Sequence, residues 1–144
     1  MEELCDFSKQ FVQLLLEAHP EWQEQLRVVK PDNKELGWLS IEIQSPAENG
    51  EWLLVSTEDD LITIGFADWH AHYDYWGNEE LLQMFAGAIK MIDDLLAEKC
   101  VCVTYFRGEE ICMASCEIAG IKPKSGLKTR IRSWLGNYDT EYQG

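Results

Sequence analysis

Between Trp38 and Leu96 the apolar residues change their spacing once, and that change limits what the chain can become. In Trp38–Gln44, Leu39, Ile41 and Ile43 alternate with Ser40 and Glu42, the period of a strand with one wet face. Trp52–Thr57 and Leu61–Asp68 read as two more strands, and the turns Glu48-Asn49-Gly50 and Glu58-Asp59-Asp60 are short enough to make antiparallel hairpins. After Gly77-Asn78 the period becomes helical: Leu81, Phe85, Ala88, Ile89, Ile92, Leu95 and Leu96 form one wide stripe. Asn78 suits the N-cap, and Glu79 and Glu80 suit the positive end of the helix dipole. Such a stripe is expected to cover one face of a sheet, with the helix ending near Lys99.

The flanks extend this pattern. Leu4, Phe7, Phe11, Leu14, Leu15 and Ala18 predict a helix from about Glu3 to Ala18, stopped at His19-Pro20 because a residue before proline avoids the α region. Pro20 then opens a second short helix, PEWQEQLR. Cys100–Phe106 and Ile111–Ile118 predict a hairpin around Arg107-Gly108-Glu109-Glu110, and Leu127–Leu135 a final strand. At 144 residues, with 46% hydrophobic content, the chain is long enough for one globular domain, residues 1–144. The expected class is α+β: N-terminal helices, a mainly antiparallel sheet of about six strands, and one long central helix packed on the sheet.

Charge is distributed unevenly. Residues 35–89 hold eleven Asp or Glu and no Lys or Arg. Residues 1–121 carry 24 acids against 7 bases, net −17, while residues 122–144 carry 2 acids against 5 bases, net +3, giving the overall −14. Such a field disfavours nucleic acid and anionic membranes, since phosphate binding needs Lys and Arg. It favours a basic protein partner and speeds their encounter. Solubility alone would also account for the net value. No apolar run approaches the roughly 20 residues of a membrane span. The acidic start MEELCDF does not read as a secretory signal, so the cytoplasm is the expected compartment and the five cysteines are expected as thiols.

Four groups could carry chemistry. If the strand after Leu61 stays extended, Asp68, His70, His72 and Asp74 continue the row Ile62, Ile64 and Phe66, and His-x-His could present two nitrogens to a metal. The plainer reading is a polar strand end, because a third strong ligand is missing. A His beside an Asp can act as a base, but no nucleophile or glycine-rich phosphate loop accompanies it. With Phe106 opposite Ile111, Cys102 would face Ser115, and the pairs Cys100/Cys102 and Cys112/Cys116 would lie on opposite sides; a one-residue slip would bring them together. Core packing is the simpler role for these thiols. Trp69, Tyr73, Tyr75 and Trp76, interleaved with acids, match the composition of an interface hot spot, and packing under the helix would also explain the tryptophans. Lys122, Lys124, Lys128, Arg130 and Arg132 are expected to pair with the protein's own acids.

Two stretches carry a resemblance. ITIGFADWHAHYDYW followed by a helix resembles the central signature of small immunity proteins of bacterial polymorphic-toxin and contact-dependent inhibition systems. IRSWLGNYD is similar to the S-W-x-G-x-x-D ending found there, matched by Ser133, Trp134, Gly136 and Asp139. The two quoted stretches hold 24 of the 144 residues, and with the helix that follows the first they cover about a third of the chain. The resemblance implies a cytoplasmic antidote without enzymatic activity or cofactor that binds a cognate toxin with a basic surface, for instance a nuclease. Its matched residues in the first motif are His70, His72 and Tyr73. Joined to the charge pattern, this reading assigns partner binding to Glu58, Asp59, Asp60, Asp68, Trp69, His70, His72, Tyr73, Asp74, Tyr75 and Trp76. The competing readings are a metal-dependent enzyme built on His70, His72 and an Asp, and an acidic adaptor for some other basic protein.

Overall fold

The computed structural model describes residues 3–74, 80–123 and 125–143. It is α+β, with helices α1 (Asp6–Ala18) and α2 (Leu81–Leu96) and two sheets. One sheet has five strands in the order β1 (Leu26–Val29), β2 (Trp38–Gln44), β3 (Trp52–Ser56), β4 (Ile62–Phe66) and β5 (Trp69–Tyr73). The other has four, in the order β7 (Glu110–Ile118), β6 (Cys100–Arg107), β8 (Lys128–Arg132) and β9 (Thr140–Tyr142). The expected sheet of about six strands is therefore corrected to nine described strands in two sheets. The short second helix is corrected to a 3-10 turn over Pro20–Gln25, after which Leu26 and Arg27 enter β1, pairing with Ile41 and Ser40. The expected cap at Gly77-Asn78 and Glu79 lies outside the described residues.

The chain divides into two compact units. The first comprises Met1–Ile43, Leu54–Ile64 and Ala71–Met91. In it α1 turns Phe11, Val12 and Leu15 inward, as the periodicity requires. Phe85 of α2 meets Phe7 edge-on at 5.2 Å and Phe11 at 5.4 Å. Phe11 and Phe85 are fully buried, a contribution of about 1.5–3 kcal/mol each. Beneath α1 the hydroxyls of Ser8 and Thr57 share a hydrogen bond of 2.6 Å, and Thr57 Oγ1 accepts from the Leu39 N–H at 2.8 Å, so two buried polar side chains are satisfied. Gly37 is a fixed requirement: a Cβ there would stand 2.1 Å from the Val29 carbonyl oxygen.

The second unit comprises Gln44–Leu53, Gly65–His70 and Ile92–Gly144. One face of its four-stranded sheet buries Val101, Val103 and Ile131, with Tyr105, Ala119 and Tyr142 against them. On the opposite side of β6, Cys102, Thr104 and Phe106 are buried. Phe106 does pair with Ile111, but a bulge follows between Tyr105 and Phe106, so Tyr105 pairs with Met113 and Cys112 has no partner across the ladder. The extra residue shifts the register by one and overturns the opposite-side arrangement of the cysteines: Cys102 faces Cys116, not Ser115.

Candidate functional site

The strand after Leu61 does not stay extended. It stops at Phe66, and Ala67-Asp68 make a two-residue turn into β5, with Ala67 in the left-handed region at φ 53°. The row Asp68, His70, His72 and Asp74 is therefore not a continuation of Ile62, Ile64 and Phe66. Those three are buried, whereas His70 and His72 are exposed, and His72 Nδ1 lies 2.8 Å from the Thr63 hydroxyl on the other face of the hairpin. Trp69, Ala71 and Tyr73 are the half-buried positions of β5. Among the described residues no three of His, Cys, Asp or Glu converge as a metal ion would require.

In the first unit three consecutive acids stand at one turn. Glu58, Asp59 and Asp60 form an exposed 3-10 turn before β4, with Asp59 at φ 60° and Asp60 at φ 55°. Asp and Asn tolerate this left-handed backbone better than other side-chain-bearing residues, which suits an acidic pair to the position. A cavity of about 670 Å³ is lined by Cys5, Lys34, Glu35, Leu36, Gly37, Trp38, Thr57, Asp59 and Asp60. A second, about 550 Å³, is lined by Phe7, Asp59, Asp60, Asp74 and Leu81. Asp59 and Asp60 thus serve both, and Asp74 joins them at the second. The Cys5 thiol leans on Asp60 Oδ1 at 3.7 Å and on Ser8 Oγ at 3.2 Å. Carboxylates beside aromatic and aliphatic walls can hold the ammonium or guanidinium of a partner's side chain while the walls bury its stem. Sequence reasoning missed Cys5, Phe7, Lys34, Glu35, Trp38 and Leu81 here; only Glu35, at the head of the lysine-free stretch, carried a signal. Tyr73, of the same unit, is half-buried; a Cβ on Gly87 of α2 would sit 3.9 Å from its ring.

In the second unit Asp68 is engaged internally. Its Oδ2 accepts from Arg130 Nη2 at 2.7 Å and from the Thr104 hydroxyl at 2.7 Å. Burial opposes its charge, but the hydrogen bonds from Thr104 and Arg130 and the charges of Arg130 and Arg132 outweigh this and hold the carboxyl below its ordinary pKa. Arg130 also lies over the Phe106 ring at 5.1 Å, Lys128 over the same ring at 5.5 Å, and Lys122 over Tyr142 at 4.9 Å. Arg132 reaches Glu141 at 3.9 Å. Those four cations of the C-terminal cluster meet the protein's own acids and rings; Lys124 lies outside the described residues. Glu51, near Asp68 and Asp139, has its pKa pushed up by burial and then by Asp68.

The S-W-x-G-x-x-D stretch closes on itself. Asp139 Oδ1 accepts from the Ser133 N–H at 2.7 Å and its Oδ2 from Asn49 Nδ2 at 3.0 Å, Ser133 Oγ accepts from the Tyr138 N–H at 3.0 Å, and Gly136 supplies φ 77°. Ser45 Oγ donates to the Trp134 carbonyl at 2.6 Å. Each residue of the motif has a folding task here.

Of the eleven partner-binding candidates, Glu58, Asp59, Asp60, His72, Tyr73 and Asp74 fall in the first unit and Asp68, Trp69 and His70 in the second. Tyr75 and Trp76 lie outside the described residues. No described helix is long and apolar enough to cross a membrane. Compared with family models, with curated proteins and with solved structures, the chain finds no match.

Proposed function

We propose that this protein is an immunity protein of the toxin-neutralising kind: it acts in the cytoplasm, without catalysis or cofactor, by occupying a cationic surface of a cognate toxin domain, a nuclease being the natural candidate. The observation that carries the reading is the shared position of Asp59 and Asp60, which line two adjoining cavities with Asp74 at one of them. The turn sits in a stretch of 55 residues, 35–89, that holds eleven acids and no Lys or Arg. Basic side chains of a partner could enter the two cavities that Asp59 and Asp60 line. Complementarity of this sort raises the association rate and makes it salt-dependent. Asp68 is held by Arg130 and is a weaker candidate for partner contact than Glu58, Asp59, Asp60 and Asp74.

The test is neutralisation. Co-expression with a toxin whose gene lies immediately upstream and ends in a small basic domain should rescue growth, and the purified pair should form a complex. An adaptor for another basic protein would share the surface and fail the rescue.

A further inference from the structure

The bulge at Cys112 brings three thiols onto one face of the second unit's sheet. Cys100 and Cys102 share a side of β6, and Cys116 of β7 stands directly opposite Cys102. The Ala119 N–H donates to the Lys99 carbonyl at 3.1 Å, and that pair continues the register Cys100 to Ile118. Because bonded and non-bonded pairs alternate along an antiparallel ladder, Cys102 and Cys116 form a non-hydrogen-bonded pair. Such pairs hold their Cα atoms about 4.5 Å apart, inside the range of about 4.4–6.8 Å that a disulfide spans. The Cys116 thiol also exchanges a hydrogen bond with Cys100. Cys116 is half-buried on the edge strand, so a small oxidant can reach it, while Cys102 is buried behind it.

We propose that Cys116 is an oxidisable thiol that forms an intrachain disulfide with β6, taking Cys102 as its directly opposed partner, with Cys100 placed to exchange into the bond. Hydrogen peroxide is the oxidant class that balances the step. The Cys116 sulfur gives up its proton and attacks one peroxide oxygen; the O–O bond breaks, leaving a sulfenic acid and one water. The Cys102 sulfur then attacks that sulfenic sulfur, the S–O bond breaks, and the departing hydroxide takes the Cys102 proton as a second water. Two electrons pass from the two sulfurs to the peroxide. Exchange by Cys100 attack would move the bond along β6 without further oxidation. The hydrogen bond with Cys100, burial, and the neighbouring Cys100, Cys102 and Asp94 all push the Cys116 thiol up, so little thiolate is present at neutral pH and its reaction with peroxide is slow.

Peroxide treatment of the full chain, followed by alkylation and peptide mapping, tests this. Two of the five thiols should become unreactive, in a peptide pair that joins Cys116 to Cys102 or Cys100, in a monomeric product that dithiothreitol reverses. Cys116→Ser should abolish the link and Cys112→Ser should leave it intact. The oxidised natural chain should melt at a higher temperature than the reduced one, a readout that does not depend on any variant folding. Five alkylatable thiols after peroxide, conversion of Cys116 to sulfinic acid, or a cross-link that runs only through Cys112 between two chains would overturn the assignment.

Discussion

Asp68 and Arg130 meet at 2.7 Å across 62 residues of sequence, and the same carboxylate oxygen accepts the Thr104 hydroxyl at 2.7 Å. Thr104 and Arg130 are themselves partners across the β6–β8 ladder, so one acid from a hairpin turn holds two neighbouring strands. Arg130 Nε is buried with no acceptor of its own, which makes the guanidinium depend on Asp68.

Removing that acid should therefore cost more than an ordinary surface ion pair. Asp68→Asn keeps the size and loses the charge, and should lower the unfolding free energy by about 1–3 kcal/mol, as expected for a hydrogen bond to a charged and partly buried partner. Urea denaturation measures this. A change no larger than that of an exposed control such as Glu109→Gln would show that Arg130 finds another partner.

Gly37 allows no side chain. The Val29 carbonyl that a Cβ would strike belongs to the backbone of β1 and cannot swing aside. Gly37→Ala should destabilise by about 3 kcal/mol or more, whereas Gly126→Ala, with nothing within 4 Å, should be near neutral. Thermal melts of the two variants decide the matter.

Acid should unfold the protein through Glu98. Its Oε2 accepts the Leu135 and Asn137 N–H groups at 3.1 and 3.3 Å, and its Oε1 accepts Asn137 Nδ2 at 2.6 Å. Burial opposes the charge, and these hydrogen bonds with that of Ser133 outweigh it, holding the pKa below 4.5. A depressed folded-state pKa contributes stability that is complete above the unfolded value and is lost as pH falls through the folded one. The urea midpoint should thus fall below about pH 4.5, with Asp68 adding to the loss. Glu98→Gln should begin less stable at pH 7 and show a shallower decline; parallel curves would contradict the role.

Much of the architecture could be read where the period was long and local. Helix α1 follows the stripe of Phe11 and Leu15, and β2 follows the alternation of Leu39 and Ile41. What stayed hidden depended on distant pairing or on unmarked turns. Leu26–Val29 is four residues long and becomes a strand by pairing with β2. The turn into β5 uses Ala67 at φ 53°, a residue that gives none of the glycine or asparagine signal of a tight hairpin, so the end of β4 at Phe66 is not marked in the sequence and the extended row through His70 and His72 does not form. The bulge at Cys112 has no glycine either, and it alone decides that Cys102 faces Cys116. The acidic turn was visible as composition, but the two cavities beside it draw on Phe7, Trp38 and Leu81, residues far apart in sequence.

The central claim is that Glu58, Asp59 and Asp60 meet a basic partner. Stopped-flow association of the full chain with its cognate toxin domain, measured from low to high salt, tests it most directly. The triple variant Glu58→Gln, Asp59→Asn, Asp60→Asn should associate about tenfold or more slowly at low salt, with a flattened salt dependence and an unchanged melting profile. An on-rate and salt slope equal to those of the natural chain would place that turn outside the binding face and contradict the account.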